Sequence, residues 1–223
     1  MTPAQQVQLA WAINSLYPGQ PALDSSVWTV RDRHFNPNDP GLPVALTLLD
    51  RASGKLARVW RGSQTGYDWG RDFDFFFSPS PFGIGRTERG FTDYYGGTTS
   101  ESGRPFEPVD QVGGHSLGGP AATYDGAVGG VIGGAELLLV ATPEPGDADF
   151  SAWATPRFEA IYRWENPHDV VPDAPGRFLG YRDLLGPTTV VDFRPLGIDQ
   201  WDVAGNHHCP NYVAAFKLQN SLQ

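Results

Sequence analysis

A single cysteine, Cys209, stands in 223 residues. A lone thiol excludes an intramolecular disulfide and, with no second thiol, any Cys-rich zinc site, so a reducing compartment is permitted. Positive charge is also scarce. Against 25 Asp and Glu there are 16 Lys and Arg, a net charge of −9. That balance argues against nucleic acid as a partner and gives anionic membranes no electrostatic reason to attract the chain, leaving neutral or apolar substrates open. Long apolar runs are missing. In residues 1–19 Gln5, Gln6, Gln8 and Asn14 interrupt the apolar positions, and no basic start precedes them. Neither a secretory leader nor a transmembrane helix is expected, and the plain expectation is cytoplasmic, with export by a leaderless route left open. Neither an internal repeat nor a long low-complexity tract divides the chain, and its length predicts one domain over 1–223 that buries a core without staples. What it has in abundance is 27 Gly and 20 Pro, a composition rich in turns and irregular loops.

The stretch around which the rest makes sense is Asp110 to Ala122, DQVGGHSLGGPAA, with Gly114-His115-Ser116-Leu117-Gly118 as Gly-x-Ser-x-Gly. Glycines two positions either side of a serine suit a strained strand-to-helix turn, because a flanking side chain would strike neighbouring backbone. Such a turn pushes the hydroxyl into a pocket. The run Leu117 to Ala122 opens a helix whose first N–H groups face what the hydroxyl attacks, so the Leu117 amide is a candidate oxyanion donor. Alone, the pattern also fits a turn with no chemistry. A phosphate loop would carry a lysine near the helix start, where Pro120 and small residues stand here.

Along the chain, Val7, Leu9, Ala10, Ala12, Ile13 and Leu16 recur at helical spacing, with Thr2 as a cap before Pro3 and Tyr17-Pro18-Gly19 as a stop. The cluster Arg31 to His34 reads as a solvated face. Leu42–Leu49 and Leu56–Trp60 read as a hairpin with a polar turn. The second strand runs into Arg61, Gly62 and Ser63, where a small polar residue just past a central strand is a candidate second oxyanion donor. From 64 to 81, aromatics alternate with charges, from Tyr67 and Trp69 to Phe77; this density predicts a half-polar flap that ends in a strand. Arg89 to Tyr95 forms a short segment, and composition from Gly96 to Pro108 is loop. Ala135 to Thr142 is the strongest buried-strand signal, and Phe158 to Trp164 is a further strand.

That last strand leads into Asn166-Pro167-His168-Asp169-Val170-Val171-Pro172, a loop bearing an acid between apolar residues, which makes Asp169 the candidate orienting carboxylate, with Asp173 farther along. The base must come from elsewhere: His115 is tied to the serine turn and His168 sits beside the acid. Either His207 or His208, on a loop just before the C-terminal helix Pro210 to Leu218, meets the need. The adjacent pair lacks a well-spaced third ligand, so no metal and no cofactor is expected.

The order Ser116, Asp169, His207 or His208 is that of α/β-hydrolases. With it, several motifs make the chain resemble the class 3, fungal-type, lipase family. They are Val59-Trp60-Arg61-Gly62-Ser63 followed by Asp68-Trp69 and Asp72; Gly90-Phe91; Gly114 to Gly119; Thr142 to Asp147; and Asn166 to Pro172. The resemblance spans roughly Leu42 to Phe216. It implies an α/β-hydrolase fold with a central, mostly parallel sheet flanked by helices. It also implies hydrolysis of carboxylic esters (acylglycerols or short- to medium-chain lipid esters) by Ser116, Asp169 as the acid, Ser63 and Leu117 as oxyanion donors, and residues 64–81 as a lid that touches lipid aggregates transiently. A tyrosine that the family places in the following helix, matched by Tyr212, favours His207 over His208. The chain departs from the family at Arg89, where a histidine is usual, and at Gly96 to Pro108, which is short and glycine-rich where a sizeable helix is usual. The disulfides of secreted fungal members are absent. A non-catalytic binding module on the same fold, or phospholipid acyl hydrolysis or acyl transfer by the same triad, are the alternative functions.

Overall fold

A computed structural model describes residues 1–39, 41–63, 77–129 and 134–222. Helix α1 (Pro3–Asn14) starts where Thr2 and Gln5 form a reciprocal capping box and Pro3 opens the first turn. Strand β1 (Trp28–Phe35) pairs antiparallel with β2 (Ala45–Asp50), and β2 with β3 (Leu56–Trp60), the expected hairpin. Short strands β4 (Phe77–Pro79) and β5 (Arg86–Glu88) precede α2 (Arg89–Gly96), which Glu88 caps at the Phe91 amide, and β6 (Thr99–Ser100). Then come β7 (Gln111–His115), α3 (Gly118–Gly129), β8 (Glu136–Val140), β9 (Gly146–Asp147), α4 (Ala148–Ala154), β10 (Ala160–Glu165), β11 (Tyr181–Arg182), β12 (Thr188–Val190), α5 (Val203–Asn206) and α6 (Cys209–Gln219).

The main sheet has the order β12-β10-β8-β7-β3-β2-β1-β6, with β12 through β3 parallel and β2, β1 and β6 antiparallel. The continuous apolar run of β8 marks a strand covered on both faces, and its side chains alternate accordingly. Leu138 and Val140 pack with α1 and α6 (Leu9, Ile13, Val213, Phe216), whereas Leu137 and Leu139 pack with α3 and α4 (Ala121, Tyr124, Phe150). A Cβ on Gly113 would come within 3.2 Å of both Leu9 and Ile13, so β7 is bare where α1 lies across it. A second, four-stranded sheet, β11-β9-β5-β4, takes up Phe77 to Pro79. The last part of the expected lid is therefore strand; residues 64–76 of that segment lie outside the described residues.

One reading from the sequence is corrected at one residue. Residues 31–34 lie in β1, with Arg31 and Arg33 exposed as expected, but His34 is buried with Nε2 2.7 Å from the Thr47 hydroxyl. Burial, with the Arg58 charge nearby, lowers its pKa to about 4.

Candidate active site

Ligands in open parallel sheets gather beyond the carboxyl ends of the strands. Here β3, β7 and β10 deliver the predicted residues to that edge: Arg61–Ser63 follow β3, Ser116 follows β7, and Asp169 follows β10 by four residues. Ser116 is buried and has φ 56°, a left-handed backbone that a serine adopts only under constraint. The flanking glycines supply the constraint. A Cβ on Gly114 would lie 2.1 Å from the Gly118 carbonyl oxygen, and one on Gly118 would lie 2.5 Å from that of Trp60. The start of α3 is thus pressed against the end of β3.

That strand end is held from several sides. The buried Arg61 guanidinium donates to the Pro43 carbonyl at 3.1 Å and pairs with Asp39 at 2.7 Å, while the Tyr94 hydroxyl donates to the Arg61 carbonyl at 2.9 Å. The Gly62 amide donates to the Tyr17 hydroxyl at 2.7 Å. A Cβ built on Gly62 would fall 2.6 Å from the Ser116 Cβ and 3.1 Å from the Leu117 nitrogen, so the strand end and the serine turn are in contact. Ser63 and Leu117, the two predicted donors, flank this contact.

Asp169 is buried, and each of its oxygens is engaged. Oδ1 accepts from the Val171 amide at 3.0 Å. Oδ2 lies 2.8 Å from His207 Nδ1 and accepts from the Tyr212 hydroxyl, also at 2.8 Å. The two loops are stitched together by Asn166, whose side-chain amide donates to Asn206 Oδ1 at 2.8 Å and whose backbone amide donates to Tyr212 at 2.9 Å. Of the paired histidines, His207 is the one the acid meets. His208 stands at the N-cap position of α6 without a side-chain capping bond, and partial burial beside His207 lowers its pKa. Asp173 is exposed, as is His168. An Nδ1–H facing Asp169 leaves Nε2 as the basic nitrogen of His207. His115 brings that ring to the serine turn: its Nε2 lies 2.9 Å from the His207 carbonyl, and the two imidazoles are 4.8 Å apart, centre to centre.

One residue at this site is missed in the sequence as part of it: Tyr17 reads as the stop of a helix, and no local pattern announces a partner 98 positions away. Arg61 stands in the motif before Ser63, but nothing local announces its pairing with Asp39, 22 positions away. No group of three or more His, Cys, Asp or Glu suited to a metal occurs among the described residues, and no described helix is long and apolar enough to cross a membrane.

Comparison with known proteins places the chain in a family and a fold. Residues 58–179 match the family model for lipase (class 3). Among solved structures, the native Rhizomucor miehei lipase propeptide complex is 18% identical, with 84% of this chain and 68% of that one covered at a TM-score of 0.67. Lipase II from Rhizopus niveus is 16% identical, covering 85% and 80% at 0.65, and Lip2 lipase from Yarrowia lipolytica is 17% identical, covering 92% and 91% at 0.65. No curated protein matches the chain. The fold is that of the α/β-hydrolases, its mostly parallel sheet flanked by helices. With the family model covering more than half of its length, the chain belongs to the class 3 lipases, a family of carboxylic ester hydrolases.

Proposed function

We propose that the protein hydrolyses acylglycerols or short- to medium-chain lipid esters through an acyl-enzyme on Ser116, with Asp169 and His207 completing the triad. The observation that carries this reading is the 2.8 Å contact between Asp169 and His207, on two loops that converge beside a serine held at φ 56°. In this mechanism His207 Nε2 takes the Ser116 proton as the oxygen attacks the ester carbonyl, and the resulting oxyanion receives hydrogen bonds from the Ser63 and Leu117 amides. Asp169 stabilises the imidazolium. Collapse of the tetrahedral species breaks the ester C–O bond, and His207 returns the proton to the departing alcohol. Water, deprotonated by the same histidine, then releases the acid and regenerates the serine.

The test is hydrolysis of p-nitrophenyl esters from two to about eighteen carbons, a range matched to ordinary ligand-pocket sizes. Wild type should turn over a contiguous part of the panel, and Ser116→Ala should lose nearly all of that rate. Equal rates in the two proteins would refute the reading. Residues 64–81 are proposed as a lid on their aromatic and charged composition. A lid predicts a rise in rate as substrate passes from monomer to aggregate, and smooth saturation through that point would argue for an open esterase.

A further inference from the structure

Behind the serine turn, three segments are joined by one chain of hydrogen bonds whose direction can be worked out atom by atom. The Gly62 amide has a proton and no lone pair, so at 2.7 Å it donates to the Tyr17 oxygen. Burial raises the basicity of the Tyr17 phenolate well above the usual range, so the phenol keeps its proton. That proton is directed at His115 Nδ1, 2.7 Å away, which must then be an acceptor. The remaining ring nitrogen, Nε2, carries the hydrogen and donates to the His207 carbonyl at 2.9 Å. The His207 carbonyl, which can only accept, fixes the direction: Nε2 must carry the hydrogen, a neutral ring then has Nδ1 as acceptor, and Tyr17 is its donor. A neutral His115 in the Nε2–H form is required throughout; burial and the neighbouring His207 charge hold its pKa well below the ordinary histidine value. The other titratable groups around it are Tyr17, His208 and Cys209.

We propose that Tyr17 is a positioning residue, whose hydroxyl locks the oxyanion-side strand end, the serine turn and the His207 loop into one register through His115. This rests on the triad reading given above. The three segments it ties carry the proposed oxyanion donors, nucleophile and base, and Tyr17, just beyond α1, meets them through the Gly62 amide and the His115 ring. In Tyr17→Phe the Gly62 amide loses its acceptor and His115 Nδ1 its donor. The imidazole then keeps only its Nε2–H bond to the His207 carbonyl and is free to tilt about it.

Two readouts test the proposal. Imidazole 15N NMR of the whole protein should show His115 as the Nε2–H tautomer, without titration, from pH 5 to 9; Tyr17→Phe should keep that tautomer and shift the Nδ1 resonance, whose lone pair has lost its donor. A titration midpoint near 6.5 in wild type, or an Nδ1–H signal, overturns the hydrogen-bond chain whatever the catalytic outcome. On a soluble ester, Tyr17→Phe should lower kcat about 10- to 100-fold with KM unchanged, as expected when reacting groups drift by up to an ångström. His115→Asn, which retains an acceptor for Tyr17 but no donor for His207, should lose a similar factor, and the double variant little more than either single one. Multiplicative losses, or a folded Tyr17→Phe protein with kcat within twofold of wild type, overturn the positioning role. Failure of the triad reading is separately visible as an inactive wild type, or a Ser116→Ala variant that retains full rate.

Discussion

Replacing Tyr212 by phenylalanine removes one oxygen, and the structure sets what that oxygen is worth. It donates to Asp169 Oδ2 at 2.8 Å and accepts from the Asn166 amide at 2.9 Å, both in the buried interior. A hydrogen bond to a charged group contributes about 1.5–3 kcal/mol, and an orphaned buried amide costs about 1–3 kcal/mol. Because some relaxation offsets these losses, unfolding stability should fall by roughly 2–4 kcal/mol. Activity should fall less. Asp169 keeps its donors from Val171 and His207, so only the part of the Tyr212 bond that differs between neutral imidazole and imidazolium reaches the transition state. We expect about 1–2 kcal/mol, a 5- to 30-fold loss of kcat, against roughly 10⁴-fold for Asp169→Asn, which imposes the wrong histidine tautomer. The assay is kcat and KM on p-nitrophenyl butyrate below its aggregation point, with urea unfolding in parallel. A kcat within twofold of wild type would show that Tyr212 serves packing alone. A loss equal to that of Asp169→Asn would show that the carboxylate cannot hold the histidine without it, and either result refutes the reasoning.

Gly62→Ala should cost about 100-fold in kcat/KM on the same ester, because its Cβ would lie 2.6 Å from the Ser116 Cβ and the oxyanion edge must shift; an alanine variant with wild-type kinetics would place the reacting carbonyl elsewhere. Asp125 accepts from Arg58 Nη1 at 2.8 and 3.1 Å and from Trp60 Nε1 at 3.2 Å in the interior. Asp125→Ala strands a buried guanidinium and should destabilise by about 3–5 kcal/mol, visible as a melting point lowered by at least about 6 °C; an unchanged melting curve would mean the pair is dispensable. Burial and the nearby Asp183 charge raise the Glu144 carboxyl from 4.5 to about 7. Between those values the folded protein holds a proton that the unfolded chain has released, so Glu144 makes stability fall as pH rises through that window. Glu144→Gln keeps an acceptor for the Gly176 amide, 3.1 Å away, and should flatten the slope, gaining on wild type toward pH 7; parallel curves would contradict the assignment.

What the sequence reveals here is what neighbouring residues decide. The capped start of α1, the β2–β3 hairpin, the apolar Leu137–Val140 run of β8 and the glycine-flanked serine each depend on side chains within a few positions of one another, and the structure has all four. The three loops proposed to carry serine, acid and histidine were marked by motifs, and the Tyr212 match already favoured His207, the histidine that the structure sets against Asp169. Tertiary pairing is what local charge does not show. Arg58 and Asp125 lie 67 positions apart, and nothing local in either stretch foretells a buried pair. His34 sits in a run of charges, yet the pleat of β1 turns it inward onto Thr47. The small second sheet was invisible for a different reason: strands of two or three residues carry no periodicity, and their partners come from distant parts of the chain.

The central claim is that Ser116 is an activated nucleophile, and covalent labelling asks this directly. The wild-type protein, treated with a fluorophosphonate and analysed by intact mass and peptide mapping, should gain one adduct, on the peptide carrying Ser116. Labelling should slow by orders of magnitude in His207→Ala. No adduct under conditions that label a known serine hydrolase, or an adduct on another residue, would contradict the account.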